Sequence, residues 1–375
     1  MNGMWDPKHA YIKTLSSRNY TQTQLVLCFL TYKESIIKAF PTKFEQLVSD
    51  MESIQKESIL VEKVCEIYHK IIKLDTLKPS NDVNRLFIEL VNTCIPPSSI
   101  NIATLPANIQ EIRSKLIKLS GEAEGHLEAH FSTILGSFSN PLQHLNEFPY
   151  YSNYLKLSRI EFDILTKHYS TLGQAPKRLA FVGSGPLPLT SIVLASYHLK
   201  DTIFHNYDID SSANVMASHL VSSDPDLSKR MVFHTANIMD VRDELKEYDV
   251  IFLAALVGMD IDEKVKVIDH LAKYMAPGAL LMLRSAHGAR VFLYPVVDAE
   301  LLQGFEVLSV FHPNDDVINS VLISRKIADP VDIDHDDNHH HHHDWGVESI
   351  MPLSCKYCEF QTFKNPLGQM KVIDD

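Results

Sequence analysis

The most constraining feature of the sequence is the alternation of short apolar runs with helical segments between residues 177 and 326. Such alternation is typical of a parallel sheet with helices on both faces, because each parallel crossover needs a long connection. Only a short turn separates the last two runs, Phe305–Phe311 and Ile318–Ser324, so they must pair as an antiparallel hairpin. The five predicted strands before the hairpin are Arg178–Val182, Thr202–Tyr207, Met231–Thr235, Asp249–Leu256 and Ala279–Arg284.

Five parallel strands followed by a hairpin are the strand plan of S-adenosylmethionine-dependent enzymes. A nicotinamide-binding Rossmann domain usually ends without that hairpin. The sequence therefore predicts an α/β fold in which residues 173–326 form a Rossmann-like domain of the S-adenosylmethionine-dependent transferase type.

The residues on either side of this domain have a different texture. Residues 20 to about 172 show helical periodicity and little strand signal, which predicts an all-helical N-terminal domain, residues 1–172, whose helix ends are marked by proline. Residues 327–375 are rich in Asp and His and predict a poorly ordered tail. The predicted helices are Thr21–Phe40, Lys43–Leu77, Asp82–Cys94, Pro106–Leu135 and Pro149–Leu172, with a further one, Leu187–Leu199, after the first strand.

Charge and composition limit which binding partners and which cellular compartment the sequence favours. The formal charge of -12 disfavours nucleic acid, because binding phosphates needs a surplus of Lys and Arg. Five Cys in 375 residues do not make a disulfide framework, and no uncharged apolar run reaches the roughly 20 residues of a membrane span. We therefore expect a cytoplasmic protein without an integral membrane segment. The sequence is compatible with a monomer or a homo-oligomer.

A glycine-containing turn follows the first predicted strand and precedes a predicted helix. Its residues Gly183, Ser184 and Gly185 let the backbone pass close to a ligand. The next strand leads into Asp208, whose carboxylate can bind both ribose hydroxyls of a nucleoside; an ordinary turn aspartate is the alternative. Pro188 stands where a dinucleotide fingerprint needs its third glycine, which favours a nucleoside without a pyrophosphate.

Two more residues are candidates for the nucleoside pocket. Asn237 follows the third predicted strand, near the expected edge of the adenine, although a surface-loop asparagine fits equally well. Leu256 lies in a segment, residues 253–257, that is expected to form the pocket floor, and core packing alone also explains it.

Five sequence segments stand out between residues 121 and 290: GEAEGHLEAHF (121–131), FPYYSNY (148–154), LAFVGSGPLPLTS (179–191), YDID (207–210) and LRSAHGAR (283–290). Together they closely resemble the plant nicotianamine synthases, in the same order and with similar spacing. The glycine turn alone is common to many enzymes, whereas the five segments together are highly specific. The tail is only loosely similar, and its histidine run is not typical of the family.

The resemblance implies a helical domain over a Rossmann-like domain, and a reaction that condenses three S-adenosylmethionine molecules by aminocarboxypropyl transfer. It implies that three methylthioadenosines leave and that the product is nicotianamine, a chelator for the transport of iron, zinc, copper and nickel in plants. S-adenosylmethionine is then the substrate. The resemblance implies no metal cofactor, so no metal-binding residue is predicted.

In such a transfer an amine attacks the γ carbon of a sulfonium, and methylthioadenosine leaves as a neutral thioether. The protein must position the amine and remove its proton. Glu124 and Glu128 share a helix face with Leu127 and Phe131, so two carboxylates one turn apart lie in an apolar stripe. Burial and mutual repulsion should raise the pKa of at least one of them, which suits a base. Either glutamate fits that role, and a solvated acidic patch is the alternative.

The following helix adds aromatic candidates. Tyr150 and Tyr154 share a face, where they could orient the nucleophile and line the sulfonium, although such pairs also occur in ordinary cores. Arg284, at the end of the fifth predicted strand, could pair with a substrate carboxylate. Arg290 is a less specific candidate, and Tyr294 has no assigned role beyond packing.

Three other functions fit parts of the sequence. A methyltransferase would use the same glycine turn and Asp208, but would release S-adenosylhomocysteine. A dehydrogenase is disfavoured by Pro188 and by the terminal hairpin. A non-enzymatic metal-binding role is suggested by His339–His343, but such runs usually bind metal loosely, and Cys355 with Cys358 is only half of a structural zinc site.

Overall fold

The computed structural model describes residues 41–98, 100–169 and 175–328. The predicted helix Thr21–Phe40 and the tail beyond residue 328 lie outside these ranges. The longer helices are α1 (Pro41–Ile71), α2 (Asn81–Cys94), α3 (Ala107–Gly136), α4 (Tyr151–Tyr169), α5 (Leu189–Val193), α6 (Ser211–Val221), α7 (Leu227–Arg230) and α8 (Ile261–Tyr274). The strands are β1 (Arg178–Val182), β2 (Ile203–Asp208), β3 (Met231–Thr235), β4 (Val250–Leu253), β5 (Leu280–Ser285), β6 (Phe305–Phe311) and β7 (Ser320–Lys326).

All seven strands belong to one sheet, in the order β3-β2-β1-β4-β5-β7-β6. β1 to β5 run parallel, and β7 lies antiparallel between β5 and β6. The predicted α/β fold, with five parallel strands and a closing antiparallel hairpin, is therefore confirmed. The carboxyl ends of β1, β2 and β4 meet at one edge of the sheet, which is where ligands bind in folds of this type.

The strand predictions are correct to within two residues, except at β4. That strand was predicted as Asp249–Leu256, but it ends at Leu253. The chain leaves the sheet there because the N–H of Val257 turns back to the carbonyl of Ala254, at 3.3 Å. The Lys264 ammonium donates a hydrogen bond to the next carbonyl, that of Ala255, at 2.8 Å. The segment after β4 is thus a turn anchored by a lysine and not an extended strand.

Three helix predictions need correction. The helix predicted as Lys43–Leu77 ends at Ile71, where the chain turns and the N–H of Leu74 bonds the carbonyl of Ile71 at 3.0 Å. The predicted helix Leu187–Leu199 is α5 followed by a wider π-helical turn, Leu194–His198, because the N–H of Leu199 bonds five residues back, to the carbonyl of Leu194. The helix predicted to begin at Pro149 begins at Tyr151, and Pro149 lies in the turn before it. Tyr150 is therefore at the entrance of α4 and not on its first turn.

Three groups of buried side chains hold the layers together. One face of the sheet packs on α3 to α6, and the other face packs on α8 and the short turns around residues 238–248. A third group joins α1, α2 and α3 to residues 286–293, which follow β5. The helical half and the sheet therefore share apolar cores. Among the described residues, none of the helices has the length and apolar character that crossing a membrane requires.

A buried ion pair links α4 directly to the sheet. Glu161 of α4 is fully buried and accepts two hydrogen bonds from Arg284 of β5, at 2.7 and 3.1 Å. Thr190 accepts a third bond from the same guanidinium, at 2.6 Å. Removing one partner of such a pair leaves an uncompensated charge in the interior, which is far more destabilising than losing a surface pair.

We expect Glu161→Gln to lower the free energy of unfolding by about 3–5 kcal/mol, since it leaves the Arg284 guanidinium buried without its counter-charge. The matched control is Asp163→Asn on the same helix, which removes an exposed pair with Arg159 at 3.0 Å. That change should cost less than about 1 kcal/mol. Urea denaturation followed by circular dichroism measures both. Equal midpoints for the two variants would contradict the structural role of the buried pair.

Candidate active site

The glycine turn after β1 adopts a conformation that favours glycine. Gly183 and Gly185 have φ angles of +81° and +66°, in the left-handed region where a side chain is strained. A Cβ at Gly183 would lie 2.4 Å from a methyl carbon of Val257, and a Cβ at Gly185 would lie 2.7 Å from Glu128 Oε2. The turn therefore brings its backbone into direct contact with a carboxylate of the helical half.

Asp208 is the last residue of β2 and lies beside this turn. Its Oδ2 accepts the N–H of Gly185 at 2.8 Å, and its Oδ1 accepts the N–H of Asp210 at 3.0 Å. A carboxylate has about four lone-pair directions, so each oxygen can accept a second hydrogen bond. Asp208 is held in place by the backbone and retains acceptor capacity for a pair of hydroxyl groups.

Glu124 and Glu128 lie one turn apart on α3 and face the interior, as the helical pattern predicted. Each carboxylate accepts a hydrogen bond from a different tyrosine. The hydroxyl of Tyr154 donates to Glu128 Oε1 at 3.2 Å, and the hydroxyl of Tyr294 donates to Glu124 Oε2 at 2.9 Å. We call these two glutamates the acid pair.

Burial changes the proton affinity of all four groups. It raises the pKa of Glu124, against the opposing effects of the Tyr294 hydrogen bond and the Arg284 charge. It raises the pKa of Glu128 further, because the negative charges of Glu124 and Asp208 add to the effect. Burial and the nearby carboxylates also hold the pKa values of Tyr154 and Tyr294 well above their usual range, so both hydroxyls stay protonated and donate. Of the two glutamates, Glu128 therefore has the stronger tendency to keep a proton.

The two predicted tyrosines differ in their surroundings. Tyr154 bonds the acid pair directly, whereas the Tyr150 ring packs edge-on against Phe148, with ring centroids 5.9 Å apart. Burial raises the pKa of Tyr150, and the charge of Glu124 raises it further, so its hydroxyl lies within electrostatic reach of the acid pair. The structure thus brings both tyrosines to the acid pair, and only Tyr154 is in the described hydrogen-bond network.

Arg284 is predicted to pair with a substrate carboxylate, and part of its guanidinium is bonded within the protein. Its guanidinium already bonds Glu161 and Thr190. Burial disfavours its charge, but Glu161 outweighs that effect and raises the pKa of Arg284. The sequence showed Arg284 at a strand end but could not show that Glu161, 123 residues earlier, would meet it. The guanidinium acts on the acid pair through its electric field.

The remaining predicted residues lie around the same sheet edge. Ser184 is buried, and its hydroxyl has no hydrogen-bond partner in the described residues. Leu256 packs on α3, where a Cβ at Gly121 would lie 3.3 Å from its methyl group. Asn237 is exposed, and its side-chain oxygen caps a short turn by accepting the N–H of Met239 at 3.0 Å.

Sequence reasoning missed two buried groups. Tyr294, which had no assigned role beyond packing, bonds Glu124, and no local pattern signals a contact between residues 170 positions apart. Lys264 is almost fully buried, and desolvation lowers its pKa to about 7. Its ammonium donates to the carbonyl groups of Ala254 and Ala255, which fixes the turn that carries Leu256. Lys264 lies in the first turn of α8, where a single Lys in the sequence gives no signal of burial.

Within residues 41–98, 100–169 and 175–328, no group of three or more His, Cys, Asp or Glu side chains is arranged to hold a metal ion. His339–His343 and the pair Cys355 and Cys358 lie outside these residues.

The sequence profile and the relatives that match this chain all point to one family. The sequence profile described as "Nicotianamine synthase protein" matches residues 52–331. Nicotianamine synthase of Solanum lycopersicum is 59% identical over 316 residues, which cover 84% of this chain and 96% of the relative. Probable nicotianamine synthase 4 of Arabidopsis thaliana is 65% identical over 272 residues, which cover 72% of this chain and 83% of the relative.

Solved structures share the fold. The structure of MtNAS in complex with MTA and tNA is 22% identical, with a TM-score of 0.59, and the match covers 71% of this chain and 98% of MtNAS. A mutant of MtNAS in complex with S-adenosylmethionine gives a TM-score of 0.58 at 22% identity, covering 72% and 98%. The profile match and the identity to the plant enzymes extend over most of the sequence. The chain therefore belongs to the nicotianamine synthase family.

Proposed function

We propose that this chain synthesises nicotianamine from three molecules of S-adenosylmethionine and releases three molecules of methylthioadenosine. The observation that carries the proposal is the acid pair, which is partly buried, hydrogen-bonded by two tyrosines and in contact with the glycine turn beside Asp208. Family membership supplies the reaction, and the geometry supplies the groups that it needs.

Each transfer forms one N–C bond and breaks one S–C bond. The lone pair of an α-amine attacks the γ carbon of a neighbouring sulfonium, and the electrons of the broken bond return to sulfur, which leaves as a neutral thioether. Two transfers between molecules and one ring closure within the chain of three account for three leaving groups. The sulfonium is already an excellent leaving group, so the proposed step calls for no metal.

The nucleoside binds at the carboxyl ends of β1 and β2. The backbone of Gly183, Ser184 and Gly185 lies against the substrate, and the free acceptor positions of Asp208 bind the ribose hydroxyls. Asn237 and Leu256 are proposed for the edge and the face of the adenine. Arg284 contributes a positive field near the substrate carboxylates, while its Nε and one Nη nitrogen bind Glu161 and Thr190.

The acid pair accepts the proton of the attacking ammonium. Glu128 keeps its proton more strongly, because Glu124 and Asp208 both raise its pKa. For Glu124, the Tyr294 hydrogen bond and the Arg284 charge lower the pKa and so oppose the effect of burial. We therefore assign Glu124 as the ionised member that accepts the proton, and Glu128 as the member that lies against the glycine turn. Tyr154 orients the pair, and Tyr150 lines the path of the cation with its ring.

We further propose that residues 1–172 act as the helical cap, that residues 173–326 bind S-adenosylmethionine and that residues 327–375 form a tail outside the catalytic unit. A cytoplasmic location fits the unpaired thiols of Cys65 and Cys94, because such thiols persist in reducing compartments. A homo-oligomer is compatible with this arrangement. The acidic charge of the chain fits a cationic small-molecule substrate and not nucleic acid.

Incubation of the purified protein with S-adenosylmethionine alone should yield nicotianamine and methylthioadenosine in a ratio of one to three. The reason is that every bond to the γ carbon that forms releases one thioether. Mass spectrometry of all products measures the ratio. Accumulation of S-adenosylhomocysteine would instead identify methyl transfer and reject the proposed reaction.

Glu124→Gln should reduce nicotianamine formation by about 100-fold or more, because loss of a general base typically costs that much. Glu128→Gln should reduce it less, because an amide resembles a carboxyl group that keeps its proton. Binding of S-adenosylmethionine, measured by calorimetry, should persist in both variants. Glu122→Gln is the matched control on the same helix, since that side chain is exposed and its carboxylate lies 3.8 Å from the His126 ring. Undiminished turnover in both Glu124→Gln and Glu128→Gln would rule out the acid pair as the base.

A further inference from the structure

Tyr294 reaches the acid pair from the sheet half of the molecule. It follows β5 by nine residues, just after the short helical turn Gly288–Phe292, and its hydroxyl donates to Glu124 Oε2 at 2.9 Å. Glu124 belongs to α3, in the helical half. The contact therefore joins the two halves at the group to which we assign proton transfer.

The backbone that carries Tyr294 is fixed by the protein itself. Phe292 and Leu293 are buried in the core that includes α1, α2 and α3. Arg113 of α3 donates to the carbonyl of Val291 at 2.8 Å, which ties the same helix to this segment a second time. A side chain on such a support keeps its hydroxyl in place before any substrate arrives, as a positioning group must.

The contact changes the pKa of Glu124 in a definite direction. The Tyr294 hydroxyl stays protonated, because burial and the nearby carboxylates raise its pKa. A hydroxyl that donates to a carboxylate stabilises the ionised form and lowers the pKa of that carboxyl. The groups that act on the acid pair are Tyr150 and Tyr154 from α4, Arg284 from β5, Asp208 from β2, and Tyr294.

We propose that Tyr294 is a positioning residue of the transfer reaction, which aims the Glu124 carboxylate at the attacking amine and keeps it ionised. This inference rests on the proposed function, in which Glu124 accepts the proton. Tyr154 serves Glu128 in the corresponding way from α4. Tyr154 also lowers the pKa of Glu124, so the acid pair is held by two phenols from opposite halves of the molecule.

The test is Tyr294→Phe, which removes one hydroxyl and keeps the ring. Without the donor, the pKa of Glu124 should rise, so the acidic limb of the kcat/KM profile should move to higher pH by about one unit, since a charged hydrogen bond is worth about that much. The variant should lose about tenfold in kcat/KM below the limb and recover most of its rate above it. S-adenosylmethionine binding should not change. Tyr274→Phe, on α8 far from the acid pair, is the matched control and should leave the profile in place.

A second substitution tests the same proposal if Tyr294→Phe does not fold. A ring-fluorinated tyrosine at position 294 keeps the hydroxyl and makes it a stronger donor, so the acidic limb should move to lower pH. A limb that stays in place in both variants, or a uniform loss of rate at every pH, overturns the proposal. Glu124→Gln distinguishes a failure of this inference from a failure of the proposed function. If Glu124→Gln is inactive while the acidic limb does not move in the Tyr294 variants, only the role of Tyr294 fails. If Glu124→Gln retains full activity, the assignment of the base fails.

Discussion

The site depends on two carboxylates held one helical turn apart inside the protein. Burial opposes ionisation of each, and the charge of one opposes ionisation of the other. The structure meets this demand with neutral donors, the hydroxyls of Tyr154 and Tyr294, while the nearby Arg284 guanidinium is bonded to Glu161. A direct salt bridge to Arg284 would have stabilised both carboxylates and made them weak bases. Phenols donate to the acid pair without adding a counter-charge, so burial still raises the pKa of both carboxyl groups.

Most of the fold could be predicted because its signals are local. Alternating apolar runs and helical periodicity are properties of short windows, and they located β1, β3 and β6 without error. Two of the errors lie where a side chain from another element changes the local preference. β4 stops early because Lys264 takes the carbonyl of Ala255, and the helix after β1 widens where Arg230 bonds the carbonyl of Ala195 at 3.0 Å.

The site was predictable to the extent that it follows helix periodicity. Glu124 and Glu128 fall on one face by spacing alone, and Tyr154 shares a face with apolar residues of the next helix. Arg284 and Tyr294 follow a different rule, because their partners Glu161 and Glu124 lie more than 100 residues away. Their roles come from how the layers dock, which no window of sequence contains. The roles of all these residues in the reaction stay predictions.

The contact between Glu128 and the glycine turn explains how a common pocket can serve an uncommon transfer. A sulfonium carries three carbons, and the position of the nucleophile decides which one reacts. In the proposed binding mode, Asp208 holds the ribose and the methionine arm passes Gly185, where Glu128 Oε2 lies 2.7 Å from the position that a Cβ would take. That binding mode puts the acid pair on the side of the γ carbon. In the proposed reaction, an amine whose proton passes to this pair meets that carbon before the methyl group, so the placement of α3 selects the bond that breaks.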